Sequence, residues 1–199
     1  MSKGTGTRLS HHPLPITRHL LRRAVFLDRD GVINRCEVRD GKPYAPRRLQ
    51  DFRLLPGAVR AIHDLKRTGL IVIVVTNQPD IGNGLVEAAV VEAMHDRLRR
   101  VSSIDDILVC PHRQDAGCQC RKPRPGMLVK AAKKWQIDLK KSFMVGDRWG
   151  DVVAGQRAGC YTVFVNRHYK EHQQTEPDSR AASLPAAARL IAGLIKPES

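Results

Sequence analysis

The sequence contains no long apolar run. Its longest uninterrupted stretch of aliphatic residues is LIVIVV, at positions 70–75, whereas a membrane-spanning helix needs about 20 apolar residues. The first residues also lack the apolar core of roughly 7–15 residues that a secretory signal carries. We therefore expect a cytoplasmic protein that has no membrane partner.

Acidic residues and cysteines are both scarce. The chain has 20 Asp and Glu against 34 Lys and Arg, which gives a formal charge of +14. This excess favours anionic partners such as phosphorylated metabolites, nucleic acid or membrane headgroups. The 5 cysteines are odd in number and are not spaced as a disulfide framework, so they indicate metal ligands or free thiols in a reducing compartment.

A length of 199 residues suits one domain. Residues 1–23 carry five Lys or Arg and no acid, with Gly, Pro and Ser in the first half. We interpret them as a flexible basic arm; a nucleic-acid-binding tail is the alternative. Residues 24–199 are predicted to form a single domain.

Short apolar segments alternate with amphipathic ones after residue 23. The predicted strands are 24–28, 70–77, 106–110, 142–147 and 160–166, and the predicted helices are 57–69, 85–101, 125–136, 150–159 and 184–195. Continuous apolar strands that alternate with helices are typical of a buried parallel sheet. We predict an α/β fold with a doubly wound, Rossmann-like sheet, helices on both faces and no large cap domain. His63 and His95 lie on predicted helices and are expected at the surface or its boundary.

Polar side chains follow the predicted strands. Asp28 and Asp30 follow the first, Thr76 and Asn77 end the second, and Asp147 ends the fourth. Ligands of such folds bind at the carboxyl ends of the strands. Asp28 and Asp30 point to the same side of an extended chain, where two carboxylates repel each other unless a proton or a cation intervenes. A Mg²⁺ ion with Asp147 as a third acid would satisfy this arrangement; a turn with solvated acids is the alternative.

The same strand ends supply groups that suit a phosphoryl group. Thr76 and Asn77 offer uncharged hydrogen-bonding groups, and Lys122 offers a positive charge. Phosphoryl transfer depends mainly on positioning and on neutralising the phosphoryl oxygens, and a carboxylate can serve as the nucleophile. The chain contains no G-x-x-x-x-G-K-[ST] loop, which argues against nucleotide-driven kinase chemistry.

The stretch CPHRQDAGCQCRK contains two tight pairs of soft ligands. The four candidate zinc ligands are Cys110, His112, Cys118 and Cys120. A Cys₃His set is typical of a closed structural zinc site, which has no open position for substrate. We therefore predict a structural zinc whose loop delivers Arg121 and Lys122 to the crevice. Cys36 and Cys160 are interpreted as ordinary thiols.

Four segments in order carry a resemblance to a known family. FLDRDGVIN, VVTNQ, CPH…CQCRKPRPGM and MVGDRWGD resemble the phosphatases of the haloacid dehalogenase superfamily. Within it, they are most similar to the branch of heptose-bisphosphate and histidinol-phosphate phosphatases. The resemblance covers residues 24–166.

The resemblance implies roles for the acidic residues. Asp28 would be the nucleophile that becomes phosphorylated, and Asp30 the general acid and base. Asp28, the backbone carbonyl of Asp30, and Asp147 would bind Mg²⁺, with Asp151 as a supporting group near the metal.

It also implies roles for the cationic and neutral residues. Thr76 and Lys122 would hold the phosphate, while Asn77 and Arg121 would contact substrate. Cys110, His112, Cys118 and Cys120 would bind zinc.

The resemblance is uneven in the second motif. Heptose enzymes commonly have TNQSGIARG, whereas this chain has TNQPDIGNG, with Asn83 where an Arg is usual. The five-residue spacer between the zinc-ligand pairs and the GDR sequence are closer to the histidinol-phosphate enzymes. We expect the Pro79–Gly84 segment and the zinc loop to select the substrate.

The leading hypothesis is a Mg²⁺-dependent phosphomonoesterase that acts through an aspartyl phosphate on a small phosphorylated sugar. Its expected substrate is D-glycero-D-manno-heptose 1,7-bisphosphate of the envelope polysaccharide pathway, and we expect a monomer. Histidinol phosphate and the 3′-phosphate of nucleic acid, which the charge of +14 favours, are alternative substrates. A zinc-stapled module that binds nucleic acid without catalysis is the alternative of another class; its clustered carboxylates would repel phosphate in the absence of metal.

Overall fold

A parallel sheet forms the centre of the molecule. The computed structural model describes residues 21–195, in which eight strands are found: β1 (Ala24–Leu27), β2 (Glu37–Arg39), β3 (Lys42–Tyr44), β4 (Ile71–Asn77), β5 (Asp106–Cys110), β6 (Phe143–Gly146), β7 (Tyr161–Val165) and β8 (Ser179–Ala181). Six of them pair in parallel in the order β5-β4-β1-β6-β7-β8, and β2 and β3 form a separate antiparallel hairpin. The α/β prediction is confirmed.

Helices cover both faces of the sheet. They are α1 (Ala58–Arg67), α2 (Pro79–Gly82), α3 (Ala88–Val101), α4 (Gly126–Trp135), α5 (Trp149–Ala158) and α6 (Leu184–Leu194). Apolar residues of α1, α3 and α6 share one core layer, whereas α4 and α5 pack on the opposite face. No large cap domain interrupts residues 21–195, as predicted.

The central strand β1 shows why the sheet is buried on both sides. Val25 and Leu27 enter the core layer of α1, α3 and α6, whereas Ala24 and Phe26 enter the layer of α4. All four side chains are fully buried. Because successive strand residues point to opposite faces, a strand covered on both sides must be apolar throughout.

The sequence did not predict β8 or the hairpin. These strands have only three residues each and contain polar side chains, so they show no useful periodicity. A specific contact places β8 instead: the Asp178 carboxylate accepts hydrogen bonds from the Thr162 backbone N–H at 2.7 Å and from the Thr162 hydroxyl at 2.6 Å. A side-chain contact of this kind between distant residues leaves no local pattern in the sequence.

Two further predictions concern the N-terminal arm and the absence of a membrane-spanning helix. Most of the predicted basic arm, residues 1–20, lies outside the described residues, so the arm stays a prediction. Within residues 21–195, no helix is both long enough and apolar enough to cross a membrane.

Candidate active site

Three buried carboxylates meet at the carboxyl ends of two neighbouring strands. Asp28 follows β1, Asp147 follows β6, and Asp151 lies in the first turn of α5. Their carboxylate oxygens lie within 4.8 Å of one another, and each residue is at most 7% exposed. The structure thus brings Asp28 and Asp147 together as expected, and it places Asp151 in the cluster itself.

One ammonium group lies within this acidic cluster. The Lys122 Nζ atom is 2.5 Å from Asp28 Oδ1 and 2.7 Å from Asp151 Oδ1, and it donates a hydrogen bond to the Val75 carbonyl at 2.7 Å. Burial lowers the pKa of Lys122, but the Asp151 and Asp28 carboxylates outweigh burial and raise it overall. Lys122 is therefore charged, and it supplies one positive charge for three carboxylates.

Among the described residues, Asp147 is the carboxylate of the cluster that has no ion pair. Neither of its carboxylate oxygens has a hydrogen-bonding partner of normal geometry among the described residues. Burial, and then the charges of Asp28 and Asp151, raise the pKa of Asp147 well above its usual value. Burial also raises the pKa of Asp28 in spite of Lys122.

A divalent cation would balance this cluster. With all three carboxylates ionised and Lys122 charged, two negative charges remain uncompensated in a buried site, which is costly. The donor atoms are carboxylate oxygens, the ligands that Mg²⁺ prefers. The residues present therefore fit a Mg²⁺ ion held by Asp28 and Asp147, with Asp151 beside them.

Asp30 is held by three side chains that the sequence analysis did not identify as its partners. Arg29 donates from Nη2 at 3.0 Å and from Nε at 3.2 Å, Asn34 donates from Nδ2 at 2.9 Å, and Gln78 donates from Nε2 at 2.6 Å. The cation beside Asp30 is Arg29 and not Lys122, so Asp30 is set apart from the cluster of Asp28, Asp147 and Asp151. Only their positions in the sequence could have indicated these contacts, since Arg29 lies inside DRDG and Gln78 directly follows β4.

His95 is not at the surface, contrary to the sequence analysis. Its side chain is fully buried, and its Nε2 atom lies 3.0 Å from Arg29 Nη1. Helix α3 buries Val91, Met94, His95 and Leu98. These positions follow the i, i+3, i+4, i+7 spacing of one helix face. The spacing of the apolar neighbours could have placed His95 inside.

The neutral residues at the end of β4 form contacts with the protein itself. Thr76 is buried, and its hydroxyl accepts a hydrogen bond from Gln78 Nε2 at 2.9 Å. The Asn77 side chain donates to the Lys122 carbonyl and accepts from the Lys122 backbone N–H, both at 3.1 Å. Asn77 therefore ties the loop that carries Lys122 to β4, a role that the sequence analysis missed; its contact with substrate stays a prediction.

The four soft ligands converge on one point. Adjacent ligand atoms are 3.2–3.5 Å apart in the cluster of Cys110, His112, Cys118 and Cys120. A tetrahedral zinc ion with bonds of about 2.0–2.3 Å would separate its ligands by roughly 3.5–3.8 Å. Burial, and then the neighbouring Cys120, raise the pKa of the Cys110 thiol to about 12, so its thiolate needs a cation. The arrangement fits a closed zinc site.

The loop that follows this cluster is packed closely onto α4. A Cβ atom on Gly126 would lie 2.2 Å from the Gln119 carbonyl oxygen, so the close approach requires glycine. Arg124 Nη1 donates to the Cys118 carbonyl at 3.0 Å. These contacts hold residues 118–119 of the cysteine cluster against the start of α4.

A cavity of about 420 Å³ opens above the cluster. The cationic residues that line it are Lys42, Arg121, Lys122 and Arg148, and the aromatic ones are Tyr44 and Trp149. Arg121 Nη1 is buried and has no hydrogen-bonding partner among the described residues. The acidic residues that line the cavity are Asp28, Asp30 and Asp151. Asp147 instead lines a smaller cavity of about 150 Å³. The larger cavity suits an anionic ligand with hydroxyl groups.

The Pro79–Gly84 segment contains the one-turn helix α2 and bridges two walls of the cavity. Arg47 follows the β2–β3 hairpin, and its Nε atom lies 2.7 Å from Asp80 Oδ2. Asn83 Nδ2 donates to Gln114 Oε1 of the zinc loop at 3.2 Å. The residues that depart from the TNQSGIARG pattern therefore contact both neighbouring walls.

Comparisons with known proteins identify the family of this chain. A family model described as HAD-hydrolase-like matches residues 119–187. The chain is 42% identical over 146 residues to a D-glycero-β-D-manno-heptose-1,7-bisphosphate 7-phosphatase of Pseudomonas putida, covering 71% of this chain and 81% of the relative. It is 38% identical over 152 residues to the D-glycero-α-D-manno-heptose-1,7-bisphosphate 7-phosphatase of Mycobacterium bovis, covering 71% and 78%.

A solved structure extends the likeness to the fold. The D,D-heptose 1,7-bisphosphate phosphatase of B. bronchiseptica, complexed with magnesium and phosphate, superposes with a TM-score of 0.76 at 31% identity. The match covers 87% of this chain and 99% of that one.

Proposed function

Because the chain belongs to the haloacid dehalogenase superfamily of phosphatases, in the family of the heptose-1,7-bisphosphate 7-phosphatases, we propose that it removes the 7-phosphate of a D-glycero-D-manno-heptose 1,7-bisphosphate. The observation that carries the proposal is the buried cluster of three carboxylates around Lys122, which leaves two negative charges for a divalent cation to balance when all three are ionised. Such a cluster suits phosphoryl transfer, where the main task is to neutralise the phosphoryl oxygens.

In the first step, a carboxylate oxygen of Asp28 attacks phosphorus. A bond between that oxygen and phosphorus forms while the bond from phosphorus to the sugar oxygen breaks, which leaves an aspartyl phosphate. Asp30 gives its proton to the departing sugar oxygen, so the product leaves as an alcohol. The charged Lys122 stabilises the phosphoryl oxygens from its position beside Asp28.

In the second step, water attacks the phosphorus of the aspartyl phosphate. Asp30 takes a proton from this water, the bond from phosphorus to Asp28 breaks, and inorganic phosphate is released. Both side chains are then restored. A Mg²⁺ ion held by Asp28, Asp147 and the backbone carbonyl of Asp30 would supply the positive charge that the cluster lacks.

The walls of the cavity support a substrate with two phosphates. Arg121 and Lys42 lie at the cavity in addition to Lys122, as does Arg148, which is paired with Glu171. Arg121 and Lys42 therefore remain for a second phosphate when Lys122 holds the first. Tyr44 and Trp149 offer apolar surface to a sugar ring. The relatives' names include both the α and the β anomer, and the choice between them is an outcome of the experiment below.

Phosphate release tests the proposal. Purified protein would be given each anomer of heptose 1,7-bisphosphate, histidinol phosphate and a 3′-phosphorylated oligonucleotide, with Mg²⁺ or with a chelator. We expect Mg²⁺-dependent release that is fastest with one heptose anomer. Faster release from histidinol phosphate or from the oligonucleotide would refute the sugar substrate, and no release from any would refute the phosphatase.

A further inference from the structure

A chain of buried polar contacts runs from Asp30 to the surface through α3. Arg29 holds Asp30 through Nε and Nη2, and its third nitrogen, Nη1, lies 3.0 Å from His95 Nε2. His95 Nδ1 lies 3.3 Å from Glu92 Oε2, and the Glu92 side chain is 55% exposed. This series of contacts connects Asp30, which lines the cavity, to solvent, and it includes no residue of the carboxylate cluster.

The contacts of His95 define its tautomer and its protonation state. A guanidinium group only donates hydrogen bonds, so His95 Nε2 must accept one, which leaves the ring proton on Nδ1, where it faces Glu92. Burial, and then the positive charge of Arg29, lower the pKa of His95 to about 4. His95 is therefore neutral at pH 7.

The buried position of Arg29 is better explained by the geometry that it imposes on Asp30 than by a gain in stability. Its side chain is fully buried, and Phe52 lies against the guanidinium with 5.6 Å between the ring centroid and Cζ. A buried ion pair is often no better for stability than apolar residues of the same volume. Its geometry, by contrast, fixes a carboxylate well, because two guanidinium nitrogens face Asp30 in a planar fork.

We propose that Arg29 and His95 are positioning residues for the acid and base Asp30. His95 occupies the one guanidinium nitrogen that Asp30 does not use, and it thereby fixes the rotation of the fork that holds Asp30. Without an acceptor at position 95, Nη1 would turn towards another partner, and the Asp30 carboxylate would move with Nε and Nη2. This inference rests on the proposed role of Asp30 in catalysis.

The leaving group distinguishes positioning from general damage. The ratio kcat/KM includes only the steps up to release of the first product, in which Asp30 acts as the acid. A sugar or alkyl alcohol needs that proton, whereas 4-nitrophenolate is stable enough to leave with little help. Misplacing Asp30 should therefore slow alkyl phosphates much more than 4-nitrophenyl phosphate.

The test replaces the hydrogen-bond acceptor with an aromatic ring that has none. In His95→Phe, we expect kcat/KM for the sugar phosphate to fall by about 10²-fold, with much less change for 4-nitrophenyl phosphate. His95→Gln, whose amide oxygen can accept from Arg29, should recover most of the loss. His63→Phe is the matched control, because His63 is also a helical histidine but lies on α1, where its Nδ1 atom is 2.7 Å from Ser103 Oγ. This variant should leave the ratio of kcat/KM for the two substrates unchanged.

The possible results separate the inference from its premise. An equal loss on both substrates in His95→Phe, or no rescue in His95→Gln, overturns the positioning role. If His95→Phe does not fold by circular dichroism, His95→Leu gives the same comparison. Asp30→Asn is the reference for a lost acid: if it shows no preference for the aryl phosphate, then the role of Asp30 is wrong and the inference falls with it. An inactive wild-type protein would instead refute the proposed function.

Discussion

The Lys122 ammonium group lies 2.5 Å from the Asp28 carboxylate, although the two residues are 94 positions apart in the chain. Lys122 comes from the loop that follows the cysteine cluster, and Asp28 comes from the end of the central strand. The contact explains why soft metal ligands lie beside cations in the sequence. A structural metal in that loop would hold Lys122 at a strand end that it could not reach by local structure.

Replacing the nucleophile should stop turnover without harming the fold. We expect phosphate release by Asp28→Asn to fall below detection, because an amide cannot form the aspartyl phosphate. Its melting temperature in chelator should equal or exceed that of the wild type, since the change removes one of three mutually repelling carboxylates. Phosphate assays and thermal melts would measure both quantities, with the exposed Asp64→Asn as control. Retained turnover would show that Asp28 is not the nucleophile.

Magnesium should stabilise the protein through Asp147. At a Mg²⁺ concentration of 100 times its Kd, binding adds about 2.7 kcal/mol to the free energy of unfolding, or about 5–10 °C in melting temperature for a chain of this size. Asp147→Asn should lose most of this shift, because Asp147 is a buried carboxylate of the cluster that has no ion pair among the described residues and would be a direct ligand of the ion. Asp51→Asn, which alters an exposed ion pair, is the control. An undiminished shift in Asp147→Asn would contradict the assignment.

The cysteine cluster should bind one zinc ion per chain. We expect Cys118→Ala to lose the metal in elemental analysis and, at saturating Mg²⁺, to lose most of its activity, since the loop would no longer hold Lys122 in place. Cys160→Ala should keep the metal, because Cys160 lies in the core near β7 and outside the cluster. Zinc retained by Cys118→Ala, or full activity after zinc removal, would refute this role.

The sequence indicated the fold and the charged site more completely than their internal contacts. Apolar strands and their terminal acids are local patterns, so the sheet and the positions of Asp28 and Asp147 could be predicted. The partners of Asp30 could not, because Gln78 and Asp30 meet only when β4 pairs with β1. The contact between His95 and Arg29 likewise joins residues 66 positions apart. Contacts between distant polar residues follow from tertiary structure and leave no periodic trace.

Arg121 should serve substrate binding without stabilising the fold. Its Nη1 atom is buried without a partner at the edge of the cavity, so a phosphate oxygen there would gain a charge-assisted hydrogen bond. Such a bond contributes about 1.5–3 kcal/mol, and Arg121→Ala should therefore reduce kcat/KM for the bisphosphate by about 10–100-fold. The melting temperature should change little. Arg113→Ala, which alters an exposed ion pair of the zinc loop, is the control, and equal kinetics in the two variants would contradict the prediction.

His95 should make the protein less stable in mild acid. Its pKa is about 4 in the folded protein and 6.5 when exposed, so between these values only the unfolded chain takes up the proton, and stability falls as the pH falls. The charged groups around His95 are Arg29, Glu92 and Arg99; burial and Arg29 have the largest effects on its pKa.

Comparing the wild type with His95→Phe isolates this effect, because other groups that titrate in the same range are present in both proteins. We expect the free energy of unfolding of the wild type, relative to the variant, to decrease by about 2 kcal/mol between pH 7.5 and pH 5. Urea melts in chelator at each pH would measure it. A difference that does not change with pH would mean that His95 is protonated in the folded protein as readily as in the unfolded chain. In that case the contact with Arg29 would not favour the neutral, accepting form of the ring, and the proposed hydrogen bond from Arg29 to His95 would be contradicted.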